Sequence, residues 1–247
     1  MNALASQAIL ETKLFFRRKD TMFWTFLFPI FFMSLFGLIY GNSKWPGMDI
    51  RSVDYLLPGI VVMSVMSTGI THTLIAFVTE REKGVYRRLA LTPLTRQSLI
   101  GGQIVHHYSI TIMQTLLVLT IGILGFNITI SGNIPLAWLV LTVGVLCFVS
   151  VGFALTGLVR TARSATPIAQ IPFFFFMFLG GVFYPTSMLP KFLGYVANIL
   201  PSTHMNDALR MVFYQGAGIG DIWQHLLVLA GWTMACLAIS IKFFRWE

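Results

Sequence analysis

The sequence predicts an all-α polytopic membrane protein with six transmembrane helices and both termini on the cytoplasmic side. Three observations lead there. Of 247 residues, 56% are hydrophobic and only 11% charged, where a soluble domain carries roughly a quarter charged residues. Long apolar runs recur along the chain, most of them near the length a bilayer requires. The basic residues fall in short clusters beside those runs. That is an orientation signal rather than a phosphate-binding patch, so the pI of 9.8 does not imply a nucleic-acid partner.

Residues 2–19 read as an amphipathic interfacial helix, with Ala5, Ile9, Thr12 and Phe16 on one face and Lys13 and Arg17 off it. Arg17, Arg18 and Lys19 then mark the cytoplasmic surface. The apolar run from Phe23 follows these charges and is long enough to cross, so it reads as a span and not as a cleavable signal peptide. This first span covers 22–40. Pro29 removes one backbone donor inside it, and a neighbouring helix is expected to satisfy the freed carbonyl.

The polar segment 41–54 is placed outside. The second span, 55–78, is rich in small and hydroxyl residues: Gly59, Ser64, Ser67, Thr68, Gly69, Thr71 and Thr73. Such residues let helices approach closely or line a polar path. The loop 79–97 follows. Its core, Glu80 to Pro93, is the densest run of charge in the chain. Lipid excludes such a run, its basic excess keeps it cytoplasmic, and Pro93 ends a short helix there.

The third span covers 98–125 and a turn to Asn133 leads into the fourth, 135–158. Arg160 and Arg163 return the chain to the cytoplasm before the fifth span, 165–184, which holds Pro172 and the run Phe173 to Phe176. In 185–214, Pro185, Pro190 and Pro201 bracket an apolar stretch about half the length needed to cross. It reads as two external re-entrant helices, shielded by protein. The sixth span, 222–241, ends at Lys242 and Arg245. Thirteen of the seventeen basic residues are then cytoplasmic and four (Lys44, Arg51, Lys191 and Arg210) external, as the positive-inside rule requires. No repeat or linker divides the chain, so 1–247 reads as a single transmembrane domain.

Catalytic signatures are missing from the sequence. It holds no Gly-x-x-x-x-Gly-Lys-Ser/Thr loop, no Gly-x-Ser-x-Gly elbow and no His-Glu-x-x-His. Cys147 and Cys236 lie in apolar spans without metal-ligand spacing. His106 and His107 are adjacent and point about 100° apart on a helix, a poor chelate. No acidic residue falls inside any predicted span to complete an acid/base or metal site. Packing or hydration of a polar cavity is the favoured role for these histidines. His72 is the intramembrane ionisable group most open to a functional one. No metal, no cofactor and no catalytic residue is assigned. A lipid-modifying enzyme using His72 and His106, and a passive channel, are the rival classes.

Several motifs stand in a fixed order: Glu80-x-x-x-Gly84, Leu89 and Pro93; then Gly181-Val182-Phe183-Tyr184-Pro185, Leu189-Pro190, Leu200-Pro201 and Asp207-Ala208-Leu209-Arg210. Over essentially the whole chain this resembles the ABC-2 type transporter permeases, the membrane subunits of type V ABC exporters, and most closely the drug- and antibiotic-export branch. The resemblance implies a homodimer of such chains in the lipid of a bacterial or archaeal inner or plasma membrane. Two copies of a separate ATPase subunit would bind ATP and Mg. The 80–93 helix would be the coupling helix, with Glu80, Glu82, Gly84, Arg87 and Arg88 setting the docking register. Leu89 and Leu91 would be its apolar anchor and Pro93 its end. A cavity formed by the first, second and fifth spans would be lined by Phe26, Met63, Thr68, His72, Phe173 and Met177. Pro185, Pro190 and Pro201 would belong to an external gate. Hydroxyls and methionines in an apolar route suit a lipophilic or amphiphilic cargo (drug, antibiotic or lipid). The abundance of aromatic residues keeps polysaccharide or lipid-linked glycan export as the alternative.

Overall fold

The computed structural model describes residues 3–41, 43–44, 50–89 and 96–243, and among these it is helical throughout, without strands. The helices are α1 (Ala3–Arg17), α2 (Lys19–Tyr40), α3 (Ser52–Met66), α4 (Thr73–Glu82), α5 (Val85–Leu89), α6 (Arg96–Phe126), α7 (Ile134–Thr156), α8 (Ala162–Leu179), α9 (Lys191–Ala197), α10 (Pro201–Tyr214) and α11 (Ile219–Phe243).

Five segments are long and apolar enough to cross a membrane: Lys19–Tyr40, Ser52–Glu82, Gly101–Phe126, Ile134–Thr156 and Ile219–Lys242. The sequence predicts one more, its fifth in chain order, at 165–184. Its helix, α8, has 18 residues, about 27 Å at 1.5 Å per residue, and Arg163, Ser164, Thr166 and Gln170 dilute its first half. Its phenylalanines are gathered in the second half, so its unbroken apolar stretch is short.

The rod Ser52–Glu82 forms the centre of the bundle, joining α3 to α4 through a π-helical segment, Ser67–His72. Every α3 residue except Asp54 is buried. Its small residues explain how it fits. A Cβ on Gly69 would lie 2.7 Å from the Phe148 side chain, and one on Gly152 would lie 2.3 Å from the Gly69 carbonyl oxygen. The rod and α7 thus cross backbone against backbone, the close approach that small residues allow in lipid. The π segment sits at this crossing, where wider winding displaces the regular hydrogen-bond ladder.

α2 and α11 are peripheral. They expose Trp24, Phe31, Leu38 and Ile39, and Leu227, Met234 and Ile241 respectively, an apolar surface suited to lipid rather than water. Within α2, the carbonyl freed by Pro29 is that of Thr25, and Gln114 of α6 donates to it at 2.7 Å. The predicted rescue by a neighbouring helix is present.

α1 differs from its prediction in which face packs. Ala5, Ile9 and Phe16 are exposed, whereas Gln7, Ala8 and Phe15 are buried, with α6 as the main neighbour. A helix with an apolar stripe on each of two sides can rest on lipid and bundle together, and the spacing of one stripe does not reveal the other.

Candidate transport pathway and coupling surface

At the α5 end of the bundle, two adjacent charges closing α4 grip the α7–α8 turn. Arg81 donates to the carbonyl of Thr156, the last residue of α7, and to that of Val159 in the turn after it. Glu82 accepts from the backbone N–H of Ala162, the first residue of α8, at 2.7 Å. A cation thus meets the free carbonyls of one helix and an anion the free N–H of the next, the charge preference of helix ends. Gly84, at φ +67°, ends α4 in the left-handed region and turns the chain into α5. No atom lies within 4 Å of where its Cβ would be, so backbone conformation alone favours glycine there.

Tyr86 ties α5 down. Its ring stacks on Phe77, with centroids 4.5 Å apart, and its hydroxyl donates to Glu80 at 2.8 Å. Gln103 of α6 donates to the same hydroxyl at 3.2 Å. Glu80 is therefore turned into the bundle and buried, not displayed on the surface with Arg88, which is exposed. Leu91 and Pro93 lie outside the described residues, as do the side chains of Arg87 and Leu89.

Beside Glu80 lies a cavity of about 250 Å³ between α1, α2, the central rod and α6. Glu11, Glu80, His72, His106 and His107 all line it, with Leu14, Phe15, Ile75 and Ala76. The expectation that no acidic residue joins the histidines is thereby corrected. The rod runs to Glu82 instead of ending at 78, and α1 brings in Glu11 from outside the spans. Burial and the neighbouring Glu80 push the Glu11 carboxyl up from 4.5 to about 7, against the lowering effect of its hydrogen bond from Gln7 and of Arg18. Among the described residues no three His, Cys, Asp or Glu side chains converge as metal ligands.

A second cleft, of about 290 Å³, opens between α2, the π segment and α8, lined by Trp24, Thr25, Phe28, Ser67, Thr71, His72, Gln170, Phe173 and Phe174. Thr71 and His72 belong to both cavities. Of the six pathway residues expected from sequence, the structure places His72 and Phe173 on this cleft. Phe26 is half-buried against Phe15. Met63, Thr68 and Met177 are buried in the core, Thr68 bonding Thr111 of α6 at 3.0 Å.

At the opposite end, the two motif segments that flank α9 meet. Arg210 donates to the carbonyl of Gly181 at 2.7 Å and lies over the Tyr55 ring, 3.6 Å from its centroid. Asn206 donates to the same carbonyl at 2.7 Å. Gly181 has φ +67°, the left-handed turn that starts the Gly-Val-Phe-Tyr-Pro segment. Pro185, Pro190 and Pro201 each begin an element: Pro185 a 3₁₀ turn, Pro190 α9 and Pro201 α10. α9 exposes Phe192 and Tyr195, and Ile199 just beyond its end is exposed too.

Sequence reading passed over Glu11, Arg81, Tyr86 and Gln103. The one legible signal among them was Tyr86, an aromatic within an otherwise charged turn.

A bundle of long apolar helices with a lipid-suited surface and clefts between its spans is that of a multi-pass membrane protein. The family description of ABC-2 type transporters matches residues 7–214, and the chain belongs to that family. It is 27% identical over 205 residues to ABC transporter G family member 20 of Dictyostelium discoideum, covering 82% of this chain but only 27% of that protein. It is 26% identical over 249 residues to a Bacillus subtilis (strain 168) protein named as a transport permease, YvfS, covering 99% of this chain and 98% of the relative. Over 226 residues it is 24% identical to the daunorubicin resistance ABC transporter permease protein DrrB1 of Streptomyces coeruleorubidus, covering 89% and 77%.

Proposed function

We propose that this chain is the membrane subunit of an ATP-driven exporter that moves a lipophilic or amphiphilic cargo out of the cytoplasm or inner leaflet. It has six spans, α8 being the fifth in chain order, with both termini cytoplasmic. It pairs with a second copy, and each copy docks on a separate ATPase that binds ATP and Mg. The chain has no catalytic site of its own.

The observation that supports this best is the grip of Arg81 and Glu82 on the α7–α8 turn. A push on the 80–93 segment reaches two consecutive long helices through hydrogen bonds at their ends. One of these, α8, forms a wall of the cleft carrying His72 and Phe173. A rigid lever joined to the wall of a cleft is what conversion of ATPase closure into alternating access requires. Glu82, Gly84 and Arg88, with Arg87, Leu89, Leu91 and Pro93, form the docking segment. Glu80 holds that segment to the bundle from within. Pro185, Pro190 and Pro201 set the corners of the outer gate.

Trp24, Phe28, Phe173 and Phe174 along the cleft favour a second reading by the same architecture, export of a glycan stacked on aromatic faces.

The test is to place single cysteines at Lys83 and Arg88 and to reconstitute the chain with its ATPase. Cross-linking to the ATPase and ATP-dependent efflux of amphiphilic dyes are expected. Labelling of those cysteines from the outside of intact cells would overturn the reading.

A further inference from the structure

The cavity between α1, α2, the central rod and α6 has a polar lining whose character follows from hydroxyl protons. A threonine has one proton to give. Thr12 donates its proton to the Ala8 carbonyl at 2.8 Å, and Thr25 donates to the Thr21 carbonyl at 2.6 Å. Each hydroxyl also touches an imidazole: Thr12 meets His106 Nδ1 at 3.0 Å and Thr25 meets His72 Nε2 at 3.3 Å. With their own protons committed, both threonines can only accept. The network is satisfied by assigning the proton of His106 to Nδ1 and that of His72 to Nε2, which leaves His106 Nε2 and His72 Nδ1 as lone pairs.

The cavity thus gathers two imidazole acceptors and two carboxylates, Glu11 and Glu80. Gln103, also in the lining, gives one of its two amide protons to Tyr86. Arg18 is the cation there and is itself solvent-exposed. The lining sets two carboxyl groups and the imidazole lone pairs against one exposed cation, with the Thr21 and Thr71 hydroxyls beside them, so the guest that fits brings positive charge and protons. The remaining walls, Leu14, Phe15, Ile75 and Ala76, are apolar. At about 250 Å³ the space falls below the ~300–1,000 Å³ of drug-sized sites, so it suits a head group more than a whole polycyclic molecule.

We propose that this cavity binds the N–H-bearing ammonium group of an amphiphile, with Glu11 and Glu80 as counter-charges and His72 and His106 as hydrogen-bond acceptors. This ligand class rests on the permease reading above and names the polar group of the cargo. The cavity shares Thr71 and His72 with the aromatic cleft, so a head group held here leaves the apolar body beside the transport route. The same ammonium chemistry is offered by a free amphiphilic amine and by an aminophospholipid head group.

The experiment uses the whole chain in phosphatidylcholine nanodiscs, titrated calorimetrically against empty nanodiscs. Dodecylammonium and dodecyltrimethylammonium have the same charge and tail, but only the first has N–H donors. Dodecylammonium is expected to bind at least tenfold more tightly, and Glu11→Gln and Glu80→Gln are each expected to remove most of that preference. Equal binding of the two amines, or a preference unchanged in Glu11→Gln, overturns the proposal. If Glu80→Gln no longer unfolds cooperatively, Glu11→Gln alone decides. Where the preference holds, weaker dodecylammonium binding in phosphatidylethanolamine nanodiscs assigns the site to the lipid head group, and unchanged binding assigns it to free amines. No ATPase is present in this assay, so failure here leaves the transport-subunit reading standing. Failure to cross-link the ATPase would overturn that reading without touching this measurement.

Discussion

Gln114 donates from Nε2 to the carbonyl oxygen of Thr25 at 2.7 Å, across the gap that Pro29 leaves in α2. A buried side chain of one helix replaces a backbone donor missing from another. Gln114→Leu is expected to cost about 1 kcal/mol, as for hydrogen bonds between membrane helices. In a Pro29→Ala background the residue-29 N–H can reach Thr25 itself, and the cost should largely vanish. A double-mutant cycle of unfolding midpoints in mild detergent measures the coupling, and strictly additive effects would refute this role.

Arg210 of α10 ties down the start of the α8–α10 connection through the Gly181 carbonyl and lies over the ring of Tyr55 in α3. Its side chain is only 11% exposed. Arg210→Ala should lower stability by about 2–3 kcal/mol, the range for hydrogen bonds involving a charged group. Arg210→Lys should recover little, because a single ammonium cannot both lie flat on the ring and reach the carbonyl as the planar guanidinium does. Thermal unfolding followed by tryptophan fluorescence reports both.

Gly84 has a left-handed backbone with open space around its Cβ position. Gly84→Ala should therefore destabilise by about 1 kcal/mol through conformation alone, and Gly84→Asn by less. If alanine proves neutral in an unfolding assay, the α4–α5 turn has another conformation available.

Glu82 receives the Ala162 N–H at 2.7 Å. Glu82→Gln keeps an oxygen acceptor there, and Glu82→Ala does not. In reconstituted vesicles with the ATPase, Glu82→Ala should reduce transport per ATP hydrolysed several-fold, with Glu82→Gln close to the parent. The two variants should differ little in stability, since the carboxyl is exposed. Equal coupling in both would separate this contact from force transmission.

Glu11, held near 7 in the folded protein, has its charged form disfavoured by burial and by Glu80, with Arg18 acting in the opposite sense. His72, His106 and His107 complete the groups facing it. The folded state then keeps a proton that the unfolded chain releases above about 4.5. Stability should fall as pH rises from about 4.5 to about 7, and the full deficit should persist above that window. Glu11→Gln should flatten this part of the pH–stability curve, and a slope unchanged in the variant would mean another group carries it.

The helices most legible in sequence were those whose apolar runs are unbroken. α2 and α7 fall within a few residues of their predicted limits, because the length of an apolar run and its charged flanks are local properties. The helix that carries the second span continues past 78 to Glu82, because Glu80 looks like loop by composition yet is enclosed by Tyr86 and the cavity wall. The packed face of α1 was hidden for a related reason. Gln7 is polar by composition, yet it lies buried, while the more apolar Ile9 and Phe16 face outward.

The motifs were visible without their meaning. Gly181 and Arg210 stand 29 residues apart, and nothing in that spacing says that one hydrogen-bonds the other. Glu11, His72, Glu80 and His106 lie on four separate stretches of chain, and only their convergence makes a single acceptor-rich cavity.

By itself the sequence determined that this chain lives in lipid, where its longest helices run and that it belongs among permeases, because hydrophobic length, charge and motif order are written along one dimension. The tertiary structure decided which faces pack, which charges turn inward and which hydroxyls the histidines meet. Those depend on what a neighbouring helix brings within about 3 Å, and a linear pattern does not carry that distance.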